Sequence, residues 1–207
     1  QAAANAVTAN KTLVYVAPGI YDRGEALVHS EDGYAVTNRL FCRYETGFVA
    51  TGDRDRTVIR GAADPTTGGN GAGAIRCYYP KGVSFLHGIT LADGHTDTHD
   101  KAPGRGGAVY AMNAASSFLE DCVITNGNAR TGGCVAGGCL HRCRIATGYS
   151  GAGASLTQYS SLDQCVAVGF SNTGVRNHYG IRSSVVVNTG TGTIYHDLSA
   201  VGDSVCE

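Results

Sequence analysis

The sequence predicts an all-β chain wound as a solenoid, a single domain over residues 1–207. A six-residue template recurs through its second half, glycine supplies 30 of 207 residues, and no segment beyond Gln1 to Val7 carries helical periodicity. The template first reads Leu86-His87-Gly88-Ile89-Thr90-Leu91. It returns as Leu119-Glu120-Asp121-Cys122-Val123-Ile124, Leu140-His141-Arg142-Cys143-Arg144-Ile145 and Leu162-Asp163-Gln164-Cys165-Val166-Ala167. Two weaker copies begin at Ile181 and Val201. The starts lie 33, 21, 22, 19 and 20 residues apart, and short β-type units at such a period mark stacked coils. The first offset is the longest, and the segment Gly94 to Arg105 reads as the insertion that lengthens it.

Within each copy the last four positions alternate as in a strand. Ile89/Leu91, Cys122/Ile124, Cys143/Ile145, Cys165/Ala167, Ser184/Val186 and Ser204/Cys206 are apolar or small, and a period of two assigns them to one face. Gly94, Gly127, Gly148, Gly169 and Asn188, near the ends of most copies, let the chain turn. A second strand follows a glycine-rich corner at Gly107 to Tyr110, Gly133 to Ala136, Gly174-Val175 and Gly192 to Tyr195. A repeat of about 20 residues holds two or three short strands, but not a strand plus crossover helix, which needs about 30. Stacking then predicts one interior row of Leu86, Leu119, Leu140, Leu162, Ile181 and Val201. A neighbouring row holds Ile89, Cys122, Cys143, Cys165, Ser184 and Ser204. The second template position carries His87, Glu120, His141, Asp163 and Arg182, a stripe of mixed charge that faces solvent.

The opening Gln1 to Val7, followed by Leu13-Val14-Tyr15-Val16-Ala17-Pro18-Gly19-Ile20-Tyr21, resembles the entry segment of right-handed parallel β-helix proteins of the pectate-lyase-like superfamily. In those proteins a short helix caps the solenoid and a strand ending in Ala-Pro-Gly-x-Tyr begins the first coil. Thr57-Val58-Ile59-Arg60-Gly61 resembles the next recurring strand. Gly106-Gly107-Ala108-Val109-Tyr110, followed by Leu119-x-x-Cys122-x-Ile124, resembles large secreted bacterial β-helix proteins, including polymorphic outer-membrane proteins and autotransporter passengers. The resemblance covers nearly the whole chain and implies a right-handed parallel β-helix with a short N-terminal helical cap. It says little of activity, because this fold hosts lyases, hydrolases, adhesins and inert stalks. Family lyases hold calcium with Asp clusters, and polygalacturonases carry Asn-Thr-Asp, Asp-Asp, Gly-His-Gly and Arg-Ile-Lys. None of those four strings occurs; the nearest fragments are Gly94-His95-Thr96 and Arg144-Ile145-Ala146. Tryptophan is absent, while 11 tyrosines leave a tyrosine-lined groove open.

A net charge of −1 without a basic stripe disfavours nucleic acid, and no apolar run has the length of a membrane span. Eight cysteines without a Cys-x-x-Cys pair favour a location outside the cytoplasm, extracellular or at the cell surface. Cys134 and Cys139 could close a disulfide across Val-Ala-Gly-Gly, and Cys42 with Cys77 is a second candidate. Cys122, Cys143 and Cys165 share a template position on coils about 4.8 Å apart, a spacing that a disulfide between Cys122 and Cys143 tolerates. A ladder of free buried thiols is the alternative. In the insertion, His95, Asp97, His99 and Asp100 could ligate a divalent cation; a solvated corner is the plainer reading, and no other cofactor is expected. At the last copy Val201, Ser204 and Cys206 present an open strand edge, for end-to-end stacking or for further coils. The leading expectation is a non-catalytic extracellular structural protein, a surface or filament subunit that self-associates end to end. The alternatives are a carbohydrate-active or sugar-binding β-helix, and a surface adhesin segment with a polysaccharide or cell-surface partner.

Overall fold

The computed structural model describes residues 1–8, 12–29, 33–43, 45–99, 104–111, 117–151, 155–170, 173–176, 180–187, 189, 195–196, 201–202 and 205–206. Of these, 150, 155, 170, 173–176, 195–196, 201–202 and 205–206 are described for the backbone alone. The chain lays its strands into three sheets in rotation. The first sheet stacks Leu13–Val16, Thr46–Ala50, Ser84–His87, Ser117–Glu120, Cys139–His141, Ser161–Asp163, Gly180–Arg182 and Val201–Gly202. The second stacks Gly19–Tyr21, Thr57–Arg60, Thr90–Ala92, Val123–Thr125, Arg144–Ser150, Val166–Phe170, Val185–Val187 and Val205–Cys206. The third stacks Ala26–His29, Ala35–Cys42, Ile75–Pro80, Val109–Ala111, Val135–Gly137, Ser155–Gln158, Thr173–Arg176 and Tyr195–His196. Neighbouring strands are parallel, except that Ala26–His29 runs antiparallel to Ala35–Cys42. Parallel neighbours need a crossover, and the strands of the other two sheets provide it.

The interior is built from rows that run across the coils. Val14, Phe48, Leu86, Leu119, Leu140, Leu162, Ile181 and Val201 stand opposite one another along the first sheet, as the template predicts and two coils further back. On the second sheet the row is Ile59, Leu91, Ile124, Ile145, Ala167 and Val186. Leu40, Tyr78, Val109, Val135 and Thr157 form the row of the third. The described side chains from Leu86 to Ile181 in the first row are buried, each contributing about 1.5–3 kcal/mol.

The template is not one strand but strand, corner, strand. Its first two positions belong to the first sheet and its last two to the second. Between them Gly88, Asp121, Arg142, Gln164 and Ser183 all have φ between 47° and 68°. One left-handed residue per coil therefore turns the chain from sheet to sheet, at about 1–2 kcal/mol for a side-chain-bearing residue. Ile89, Cys122, Cys143, Cys165 and Ser184 follow the corner and point inward as their own buried row; Ser204 lies outside the described residues. Gln164→Gly is expected to raise stability by about 0.5–1 kcal/mol in urea titration, since relief at positive φ outweighs the added chain entropy.

A second left-handed column closes the second sheet at Asp93, Asn126, Thr147 and Gly169. This corrects the turning role expected of Gly94, Gly127 and Gly148, which sit one residue later and outside the left-handed region. They are glycine because the wall is too close. A Cβ on Gly127 would lie 2.5 Å from the Cα of Cys134, and one on Gly148 would lie 2.8 Å from its Sγ.

The N-terminal end is covered more fully than the sequence predicts. Helix Ala2–Asn5 is the expected short cap, and the hairpin strand Ala26–His29 pairs with residues 35–38 of the third sheet. Where that pairing stops, the Gln1 amide takes over. Its Oε1 accepts from the Phe41 N–H at 2.8 Å and its Nε2 donates to the Phe41 carbonyl at 3.2 Å.

The seven cysteines with described side chains are free, so none of the three candidate pairs is joined, and for Cys122, Cys143 and Cys165 this is the ladder of thiols named as the alternative. Cys134 is buried behind the third sheet, whereas Cys139 lies on the outer face of the first, beyond a corner at Gly137 and Gly138 with φ of 86° and 88°. Cys42 stands opposite Pro80, three residues out of register with Cys77. Cys122 and Cys143 do stack, but as thiols. Cys122 Sγ donates to the Leu86 carbonyl at 3.5 Å, Cys143 Sγ to Leu119 at 3.3 Å and Cys165 Sγ to Leu140 at 3.4 Å. Burial pushes Cys42, Cys77 and Cys134 up to about 12. Iodoacetamide is therefore expected to modify partly exposed Cys139 in the native protein, and the six buried thiols only after unfolding, as read by peptide mass spectrometry.

Candidate functional site

The densest set of interacting polar side chains among the described residues lies on the outer face of the first sheet. Strand alternation turns the residue after each interior leucine outward, and parallel register then stacks His87, Glu120, His141, Asp163 and Arg182. The signs alternate along the first four when the histidines are protonated. Glu120 is the hub. Its Oε1 lies 3.2 Å from His141 Nδ1 and accepts from Arg142 Nη2 at 2.7 Å, while Oε2 lies 3.5 Å from His87 Nδ1. Arg142, a corner residue, also grips Asp121 of the preceding coil, through Nε at 2.9 Å and Nη2 at 2.8 Å. His141 Nε2 stands 3.8 Å from Asp163.

The electrostatics follow from this geometry. Burial pushes the Glu120 carboxyl up, but the His141 hydrogen bond and the Arg142 and His87 charges outweigh it and leave the group below its ordinary value of 4.5. The Arg142 hydrogen bond, opposed by slight burial, holds Asp121 below 3.8. A lowered carboxyl stabilises the fold while it is ionised, and that contribution fades as pH falls through the lowered value. Both side chains still reach solvent, at 27% exposure for Glu120 and 34% for Asp121, so screening keeps the loss on acidification small. Arg142→Gln is expected to move both titrations upward, which carboxyl NMR would read directly.

Beside this ladder runs an apolar row. Leu13, Phe85 and Phe118 face outward one position before the interior row, and the Phe85 ring stacks on His87 at 5.9 Å. Phe118 is 48% exposed. Phe85 and Phe118 border a groove that also takes in Glu120, Cys139, His141 and Asp163.

Of the candidate ligands in the insertion, the structure brings two of the described ones together. His99 Nδ1 lies 3.0 Å from Asp97, and the His99 ring packs 4.5 Å from that of Tyr34. His95 sits apart in the wall, bridged to Asn128, where burial lowers its pKa against the pull of Asp93. Asp100 lies outside the described residues. Among the described residues, no three His, Cys, Asp or Glu side chains come close enough to hold a metal ion. Nor is the loop simply solvated. Thr96 is buried, its carbonyl accepts from the Gly71 N–H at 3.0 Å, and its N–H donates to Asn70 at 3.2 Å.

Arg76, which no pattern in the sequence singles out, is fully buried. It donates to the carbonyls of Gly106 and Arg105, each at 2.8 Å, and to Asn38 Oδ1 at 3.0 Å. Its guanidinium lies 5.1 Å from the centre of the Tyr110 ring, and burial lowers it to about 10. It anchors the end of the insertion to the third sheet. No known family, curated protein or solved structure matches the chain.

Proposed function

We propose that the chain is a right-handed parallel β-helix of the pectate-lyase-like kind, serving as a non-catalytic structural module at an extracellular or cell-surface location. The observation that supports this best is the register of the first sheet, kept from Val14 to Val201. The polar groups support it too. Glu120, Asp121, His141 and Arg142 bind one another between coils, as a lateral clasp does. End-to-end self-association through the edge of Val201, Ser204 and Cys206 belongs to this reading. The hairpin restricts it, because an incoming coil would find open edges at Leu13–Val16 and Gly19–Tyr21 while the third sheet is already paired.

The test is electron microscopy and light scattering of the purified chain, with a Cys206→Ser control, beside polysaccharide depolymerisation assays. Rods that lengthen with concentration and no depolymerisation are expected. A strict monomer at high concentration would remove the filament element, and turnover of any polysaccharide would remove the non-catalytic one. A second reading, glycan binding, draws on the exposed Phe118 beside Glu120, His141 and Asp163. Saturable binding of a polysaccharide, lost in Phe118→Ala, would favour it.

A further inference from the structure

Charges on adjacent coils of this protein meet their opposites. Glu120 lies between His87 and His141, Arg142 holds Asp121, and Arg60 stands 3.2 Å from Asp93. A pair of cations at the end of the third sheet departs from this. Strands Ala35–Cys42 and Ile75–Pro80 end side by side with Cys42 opposite Pro80. The next residues, Arg43 and Lys81, are therefore two cations on neighbouring coils, joined by the Lys81 N–H donating to the Cys42 carbonyl at 2.8 Å. Like charges stacked across a parallel pair repel. Among the described residues neither has an acidic partner within ion-pair distance.

Both side chains open onto a pocket of about 620 Å³ between the N-terminal helix and the hairpin strand. His29 adds a third basic group, and among the described residues no Asp or Glu lines the pocket. Leu27, 65% exposed, and Phe41 supply apolar surface. The size falls within the range usual for small-molecule sites, roughly 300–1,000 Å³, and the mix of apolar wall and a few convergent charges is theirs as well.

We propose that this pocket binds a small organic anion. Its charged head sits between Arg43 and Lys81, where it replaces their repulsion with charge-assisted hydrogen bonds. Its apolar body lies against Leu27 and Phe41.

The probe is 2-naphthoate, titrated into the full chain by fluorescence, with neutral 2-naphthamide and inorganic sulfate alongside. Saturable naphthoate binding is expected, with sulfate competing weakly and naphthamide not binding. Arg43→Gln with Lys81→Gln should weaken naphthoate by about tenfold or more, and Lys81→Gln alone should fall between. Circular dichroism confirms that the variants fold, and without ligand the double variant should melt no lower than the parent because a repulsion has been removed. The proposal is overturned if the parent chain does not bind naphthoate, if naphthamide binds equally, or if the folded double variant retains full affinity.

Discussion

Replacing Gly94 with alanine is expected to destabilise the protein by about 3 kcal/mol, lowering its melting temperature by roughly 6–12 °C. The added methyl would run into the Gly107 carbonyl oxygen, with the Ala108 Cα at 2.8 Å. Every obstacle is backbone, so no side chain can swing away. Gly107 cannot retreat either, since it is itself pressed against the backbone of Asn128 and Gly133. Gly133 in turn lies against Tyr149, where its own Cβ would meet the carbonyl oxygen at 2.6 Å. The corner is a column of bare backbone several coils deep, and a methyl at one level must displace the rest. Gly82→Ala is the control. Its Cβ would meet nothing within 4 Å, and it is expected to stay within about 0.5 kcal/mol of the parent. Thermal melts of the two variants decide the matter; equal melting temperatures would mean that the corner yields.

Leu119→Ala should cost about 2–5 kcal/mol in urea unfolding. Leu119 is fully buried between Leu86 and Leu140, themselves buried, so truncation leaves a cavity whose walls are fixed by the strands on either side. Its neighbour in sequence makes the comparison sharp. Phe118 loses more atoms on becoming alanine, yet it faces outward and is 48% exposed, so its truncation should cost less than about 1 kcal/mol. A larger loss for Phe118 than for Leu119 would mean that the assigned faces are reversed.

The row through Leu119 was legible because identical residue classes recur at nearly constant offsets, and only stacking explains that. The corner at the template's third position was not. Gly88, Asp121, Arg142, Gln164 and Ser183 share a backbone angle and no chemistry. Gly88 and Asp121 alone are usual at positive φ, and two hints among five positions do not stand out. The hairpin Ala26–His29 with Ala35–Cys42 precedes the first template copy, so repetition could not reveal it. Strand Ser155–Gln158 escaped because Leu156 is its one large apolar residue. The charged stripe was read correctly as outward-facing. Its pairing needed the register, which brings Arg142 to Glu120 and Asp121 from 22 and 21 residues away. Cys134 and Cys139 are close along the chain, but the turn at Gly137 and Gly138 carries them to different sheets, a separation that sequence distance does not reveal.

The covered N-terminal end gives the protein a direction in time as well as in space. Each pass after the first hydrogen-bonds to the pass before it, so a new coil can settle on a neighbour already made. The hairpin and the Gln1 amide complete the edge of the third sheet locally, from residues within the first 42. A chain emerging from a ribosome or an export channel N-terminus first could thus settle coil by coil on a surface already formed. Emergence from the other end would offer each strand an edge with no foundation beneath it.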